Sequence, residues 1–114
     1  MPRVKRGTIA NKRRKNVLSK TKGYRFGLKS KEKMAKEAIR HAGTNAFRDR
    51  KNKKRNFRGL WQVKIGAALK EFGISFSKFI DLLKKKNVEL NRKVLAEIAE
   101  QEPKVFEKIV EEVK

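Results

Sequence analysis

Residues 48–61 read RDRKNKKRNFRGLW. Seven of the fourteen are Lys or Arg and one is acidic. Within three residues of Arg58 the chain turns apolar, with Leu60, Trp61, Val63 and Ile65. A stretch that repels itself therefore runs directly into one that must be buried. The apolar residues Phe57, Leu60, Trp61, Ile65, Ala68, Leu69 and Phe72 recur at helical spacing. The reading is a helix whose two halves are buried in different things, in an all-α chain.

Charge divides the sequence at the same place. Residues 1–58 hold 22 Lys+Arg and 3 Asp+Glu, a net of +19, whereas residues 59–114 hold 11 and 9, a net of +2. Ten of the eleven Arg lie in the first part, with only Arg92 in the second. Arg suits phosphate because its planar fork donates two hydrogen bonds at once and can stack on bases. Apolar residues run the other way, 17 of 58 against 26 of 56. Two parts are expected: a long basic helical extension over residues 1–58, ordered on binding, and a small helical domain over residues 59–114.

Outward towards the N-terminus, Met34, Ala38, Ala42 and Ala46 recur every four residues, a narrow stripe of mostly small side chains. Ser30 is the expected N-cap, with Glu32 in the first turn to suit the helix dipole. A single helix from Ser30 to Phe72, closed by Gly73, would be about 64 Å long. Gly43 and Gly59 each weaken it, by roughly 1 kcal/mol against Ala, and are the places where a break is expected. A helix over residues 8–20 would carry Ile9, Val17 and Leu18. Residues 1–29 bury too little apolar area to offset their ordering entropy, so this segment is expected to be disordered alone in water.

Towards the C-terminus three short helices are predicted. Ser75 caps one carrying Phe76, Phe79, Ile80 and Leu83, ended by Asn87. Asn91 caps the next, with Val94, Leu95, Ile98 and Ala99 inward. Pro103 takes a first-turn position in the last, with Phe106, Ile109, Val110 and Val113 inward. With the end of the long helix they make a domain of about 55 residues, which buries about 60 % of its unfolded surface.

Several function classes find no footing. There is no cysteine, so neither disulfides nor thiolate metal sites arise. No run of about 18 apolar residues exists to span a bilayer. The start MPRVKRG lacks the apolar core of a secretory signal. His41 is the only histidine and has no carboxylate at metal-ligand spacing. Asp49 is the only acid between Glu37 and Glu71; its expected role is to pair with Lys53 or a neighbouring Arg. Neither nucleotide-binding glycine motif is present. No enzyme activity, cofactor or small-molecule substrate is expected.

A net charge of +21 on a compact body of this size sets up several kT of positive potential. Nucleic acid is the expected counter-charge. The candidate contacts are Arg3, Lys5, Arg6, Lys12, Arg13, Arg14 and Lys15 near the start, then Lys22, Tyr24 and Arg25. Arg48, Arg50, Lys51, Lys53, Lys54, Arg55 and Arg58 form the central cluster. Lys84, Lys85, Lys86 and Arg92 surround one turn of the domain. Aromatics interleaved with Arg and Lys suit base stacking as well as phosphate contact. Tyr24 has no predicted core beside it and is expected to touch RNA. Phe57 is in phase with Leu60 and Trp61 and is expected to pack on the domain. A compact DNA reader would carry its charge on a short helix inside the folded part. Here most of the charge lies outside it, which favours a large, convoluted RNA. A DNA-compacting protein is the rival reading, and a solvated charged helix or a localisation tail the lesser ones.

The segments MPRVKRG, KGYR at 22–25, FRDRKNKKRNFRGLW at 47–61, ISFSKFIDLLKKKNVEL at 74–90 and NRKVLAEIA at 91–99 resemble the ribosomal protein twenty family of the bacterial large subunit. The resemblance covers nearly the whole chain. It departs in carrying Lys at several places where the family often has Arg. Phe26-Gly27 also follow KGYR, where Gly more often comes directly. The resemblance implies a helical extension that penetrates large-subunit rRNA and a helical domain at the subunit's outer surface. It implies a cytoplasmic protein with neighbouring ribosomal proteins as partners, no membrane, and a role in early subunit assembly rather than peptide-bond chemistry. For some members it also implies repression of translation by binding their own mRNA.

Overall fold

The computed structural model describes all 114 residues, and the fold is all-α. Five helices follow in order: α1 (Arg6–Ser19), α2 (Glu32–Leu69), α3 (Phe76–Lys85), α4 (Arg92–Gln101) and α5 (Pro103–Val113), with 3₁₀ turns at Phe26–Lys29 and Lys70–Phe72. No helix is long and apolar enough to cross a membrane. Two compact units, Met1–Arg50 and Lys51–Lys114, divide the chain, and their boundary falls inside α2.

α2 is helical through both Gly43 and Gly59. Neither glycine breaks it, because no Pro or special turn geometry coincides with either and the small penalty of each is outweighed by helix formers nearby such as Ala42, Ala46, Arg58, Leu60 and Gln62. Its start differs from expectation by one residue. The Ala35 amide donates to the Lys31 carbonyl at 2.9 Å, so Lys31 stands at the N-cap. Ser30 instead closes the preceding 3₁₀ turn, donating its amide to the Gly27 carbonyl at 3.3 Å. Gly73 ends the other side at φ 65°, a left-handed value that suits glycine.

In the first unit α1 buries no residue. It is tied back by Arg14, whose Nη2 donates to the Ser30 carbonyl at 2.7 Å. Thr21 and Ala35 are fully buried there. Thr21 meets its hydrogen-bonding need locally, its hydroxyl donating to the Leu18 carbonyl at 3.2 Å.

The second unit holds the core: Ile65 and Leu69 of α2, Phe79 and Leu83 of α3, Leu95 and Ala96 of α4, and Phe106, Val110 and Val113 of α5. α5 packs against both α3 and α4. The Phe79 and Phe106 rings meet tilted at 5.8 Å between centroids, a separation at which aromatic pairs attract. Trp61, Phe72, Phe76 and Ile98 pack around this cluster half-buried. Ala96 was not expected inward. It takes one of the two fully buried positions on α4, with Leu95.

The short helices begin and end on local chemistry. The Ser75 hydroxyl accepts from the Lys78 amide at 3.4 Å and the Asn91 Oδ1 from the Val94 amide at 2.9 Å. Asn87 closes α3 at φ 54°, with the Val88 amide donating back to the Leu83 carbonyl at 2.9 Å. Asn91→Ala is expected to lower unfolding stability by about 1 kcal/mol. Ser75→Ala is expected to lower it less, because its bond is long. Denaturant unfolding of the full chain in high salt, followed by circular dichroism, checks both; equal midpoints for Asn91→Ala and wild type would contradict the cap's role.

Candidate nucleic-acid interface

Every residue from His41 to Arg58 is exposed, so no face of this part of α2 is covered by protein. At about 100° per residue the seven cations of the cluster spread over about 220° around the axis, and Asp49, Asn52 and Asn56 share the remaining face. A helix packed on a core would confine its charge to a narrower side. This arrangement suits anionic surroundings on more than one side of the helix.

Local partners hold part of that charge. Arg48 Nε donates to Asp49 Oδ1 at 3.1 Å, so Asp49 takes the neighbouring Arg. The Arg50 guanidinium lies 6.0 Å from the Phe47 ring centroid and the Lys53 ammonium 6.0 Å from that of Phe57, both at the outer range of cation–π attraction. Such contacts align cations and rings for phosphate and base together. Phe57 is in phase with Trp61, their centroids 6.4 Å apart. It nevertheless stays 45 % exposed and does not join the core.

In the first unit Arg3, Lys5, Arg6, Lys12, Arg13, Arg14, Lys15, Lys22 and Arg25 are all exposed. Arg14 has a structural duty as well, through Ser30. Tyr24 is half-buried and lines a shallow groove of about 390 Å³ with Leu28, Met34, Ala38 and His41. Its surroundings are therefore more apolar than the sequence implies. His41 meets Glu37 at 3.7 Å, and no cluster of His, Cys, Asp or Glu could hold a metal ion. The Lys36 hydrogen bond at 2.6 Å holds the Glu32 carboxyl below the usual carboxylate range, with the charges of Lys36 and Arg14 adding to it. Glu32 is thus ionised at neutral pH, and its pairing is lost only as pH falls through that lowered value.

Lys84 and Lys85 fall in the last turn of α3, Lys86 at its cap and Arg92 at the first position of α4. Lys85 is hydrogen-bonded to Asp81 at 2.8 Å, which raises its pKa above the ordinary lysine value. Lys84 and Lys86 are exposed. Arg92 Nε is buried without a hydrogen-bond partner, and a cation at a helix N-terminus opposes the dipole. An anion at this turn would offset the unfavourable cation–dipole arrangement. Elsewhere the domain carries a cleft of about 700 Å³ lined by Ala68, Phe72, Ala99 and Phe106, with Lys64 and Glu100 paired at 2.5 Å and Glu71 and Glu107 at its edge. Three carboxylates against Lys64 and Lys104 leave the cleft without the excess positive charge that a polyanion would need.

The exposed cations Lys20, Lys29, Lys31, Lys33 and Arg40 were not singled out by sequence. Membership of the same charged segments was the available signal. Phe26 is one of the aromatics interleaved with Lys22, Arg25 and Lys29 that the sequence points to, and it lies exposed.

The chain matches the family model described as ribosomal protein L20 over residues 3–109. It is 47 % identical to the large ribosomal subunit protein bL20 of Picosynechococcus sp. over 114 residues, covering 100 % of this chain and 98 % of the relative. It is 49 % identical to that of Borrelia turicatae, covering 100 % and 99 %. It is 50 % identical to that of Herminiimonas arsenicoxydans, covering 100 % and 96 %.

Proposed function

The chain belongs to the ribosomal protein L20 family, structural components of the large ribosomal subunit and not enzymes, and from that premise we propose that it binds large-subunit (23S) rRNA directly and promotes early subunit assembly. The observation that carries this reading is a polycationic helix with no protein covering it from His41 to Arg58. A helix so little packed is stabilised from outside the chain. Phosphate along the cationic side supplies both the counter-charge and the covering.

The mechanism divides the chain after Arg58. Residues 59–114 fold on their own core and dock first on a preformed RNA surface, through Lys84, Lys86 and Arg92. Residues 1–58 then order among converging RNA helices and neutralise them, which lowers their mutual repulsion. Arg and Lys of the central cluster meet phosphates, and Tyr24 meets a base or sugar. Neighbouring ribosomal proteins are the chain's further partners in the subunit. The protein acts in the cytoplasm, within the large subunit. Its own mRNA, folded to mimic the ribosomal site, would use the Lys84–Arg92 turn.

Competition between a large-subunit rRNA transcript and duplex DNA of equal charge tests the reading. At high salt the full chain is expected to prefer the rRNA, and residues 59–114 to keep that preference at lower affinity. Equal binding to both polyanions would instead support a DNA-compacting protein.

A further inference from the structure

Phe26 combines two features that the free chain gains nothing from. Its φ is 54°, in the left-handed region where Cβ crowds the backbone and which aromatic residues rarely adopt. The other positive-φ positions are Gly23, Gly73 and Asn87, residues that tolerate it. Phe26 is also 86 % exposed, against 58 % for Phe47. The backbone beside it is fixed. The Gly27 carbonyl accepts from the amides of Ser30 and Lys31, at 3.3 and 2.8 Å. A Cβ on Gly27 would stand 3.2 Å from Met34 Sδ. The link between Arg25 and this anchored glycine holds the Phe26 ring in water.

We propose that Phe26 is a stacking platform for an unpaired base of the bound RNA, an inference that rests on the RNA-binding reading above. Strained backbone persists where the surrounding structure over-determines it, and it clusters at ligand contacts. No carboxylate occurs before Glu32, and Lys22, Arg25, Lys29 and Lys31 lie exposed around the turn. A dry protein interface would have to desolvate those cations. RNA offers them phosphates and offers the ring a planar, apolar face. Stacking on an aromatic side chain is open to any base.

The test uses the full chain and a large-subunit rRNA transcript. Phe26→Gly removes the ring and suits the left-handed φ, so circular dichroism and the thermal midpoint should not fall. Affinity is expected to drop about 5- to 150-fold, the range for losing one base–aromatic stack. The slope of log Kd against log salt should stay the same, because the ring carries no charge. Phe26→Trp should retain full affinity. A base protected from chemical modification by wild type and Phe26→Trp should become reactive with Phe26→Gly. Unchanged affinity in Phe26→Gly, or an unchanged protection pattern, overturns the proposal while wild-type binding leaves the RNA reading standing. Failure of the wild-type chain to prefer rRNA over equal-charge DNA would sink both.

Discussion

Raising monovalent salt from about 50 to about 200 mM is expected to weaken the full chain's binding to large-subunit rRNA by about 10³-fold or more, and deleting residues 1–58 to remove most of that dependence. The magnitude follows from counterion release, which gives about 10³–10⁵ over this range for six to ten phosphate contacts. The extension carries 22 Lys and Arg. Some are engaged within the protein: Arg14 with Ser30, Lys36 with Glu32, and Arg48 with Asp49. Enough others remain to reach that number of phosphates. The deleted chain keeps a net charge of +2 and the Lys84–Arg92 turn, so its slope should be shallow. Kd measured across a salt series for both chains decides the matter. Equal slopes would show that the extension does not neutralise the RNA.

The second large effect is on the core. Phe79→Ala is expected to cost about 3–5 kcal/mol, the usual range for emptying a fully buried aromatic position. Phe79 is fully buried and meets the Phe106 ring in a tilted contact. A unit of this size has a total stability on the order of 3–10 kcal/mol, so the variant should lose from about a third to all of it and its thermal midpoint should fall steeply. Val105→Ala is the matched control, since Val105 is 45 % exposed on the same helix as Phe106 and should change stability by less than about 0.5 kcal/mol. Thermal unfolding of the full chain in high salt, followed by Trp61 fluorescence, checks both. A Phe79→Ala midpoint close to wild type would mean that the core relaxes around the loss.

These contrasts bear on what could be read from sequence. Ser75, Asn87, Asn91, Pro103 and Gly73 act where the sequence places them, because a cap or a left-handed closure is decided within four residues. Leu95, Phe106 and Val110 are likewise legible from helical period. Ala96 is not, since a small side chain carries no strong apolar signal and is buried by what its neighbours leave open. The start of α2 was misjudged by one residue because Ser30 had a competing use in the 3₁₀ turn. Gly43 and Gly59 marked expected breaks, yet each carries only a small penalty that its helical neighbours outweigh.

The candidate site divides in the same way. The polycationic character of residues 48–58 is a property of composition and was plain. Which cations are already engaged depends on side-chain geometry and on the turn that brings Ser30 to Arg14. Tyr24 was identified, but its apolar groove arises from residues on two segments. The strain at Phe26 is set by bonds to Gly27 from residues three and four positions later, and no local rule gives it.

The uncovered part of α2 also bears on the life of the free protein. A helix held by its own backbone bonds opens more readily than one packed on a core. From His41 to Arg58 those openings would present Lys and Arg to proteases of tryptic specificity. RNA would cover the same residues once the chain is incorporated. In limited trypsin digestion the free chain should therefore be cut first between His41 and Arg58, and that cut should slow when RNA is bound.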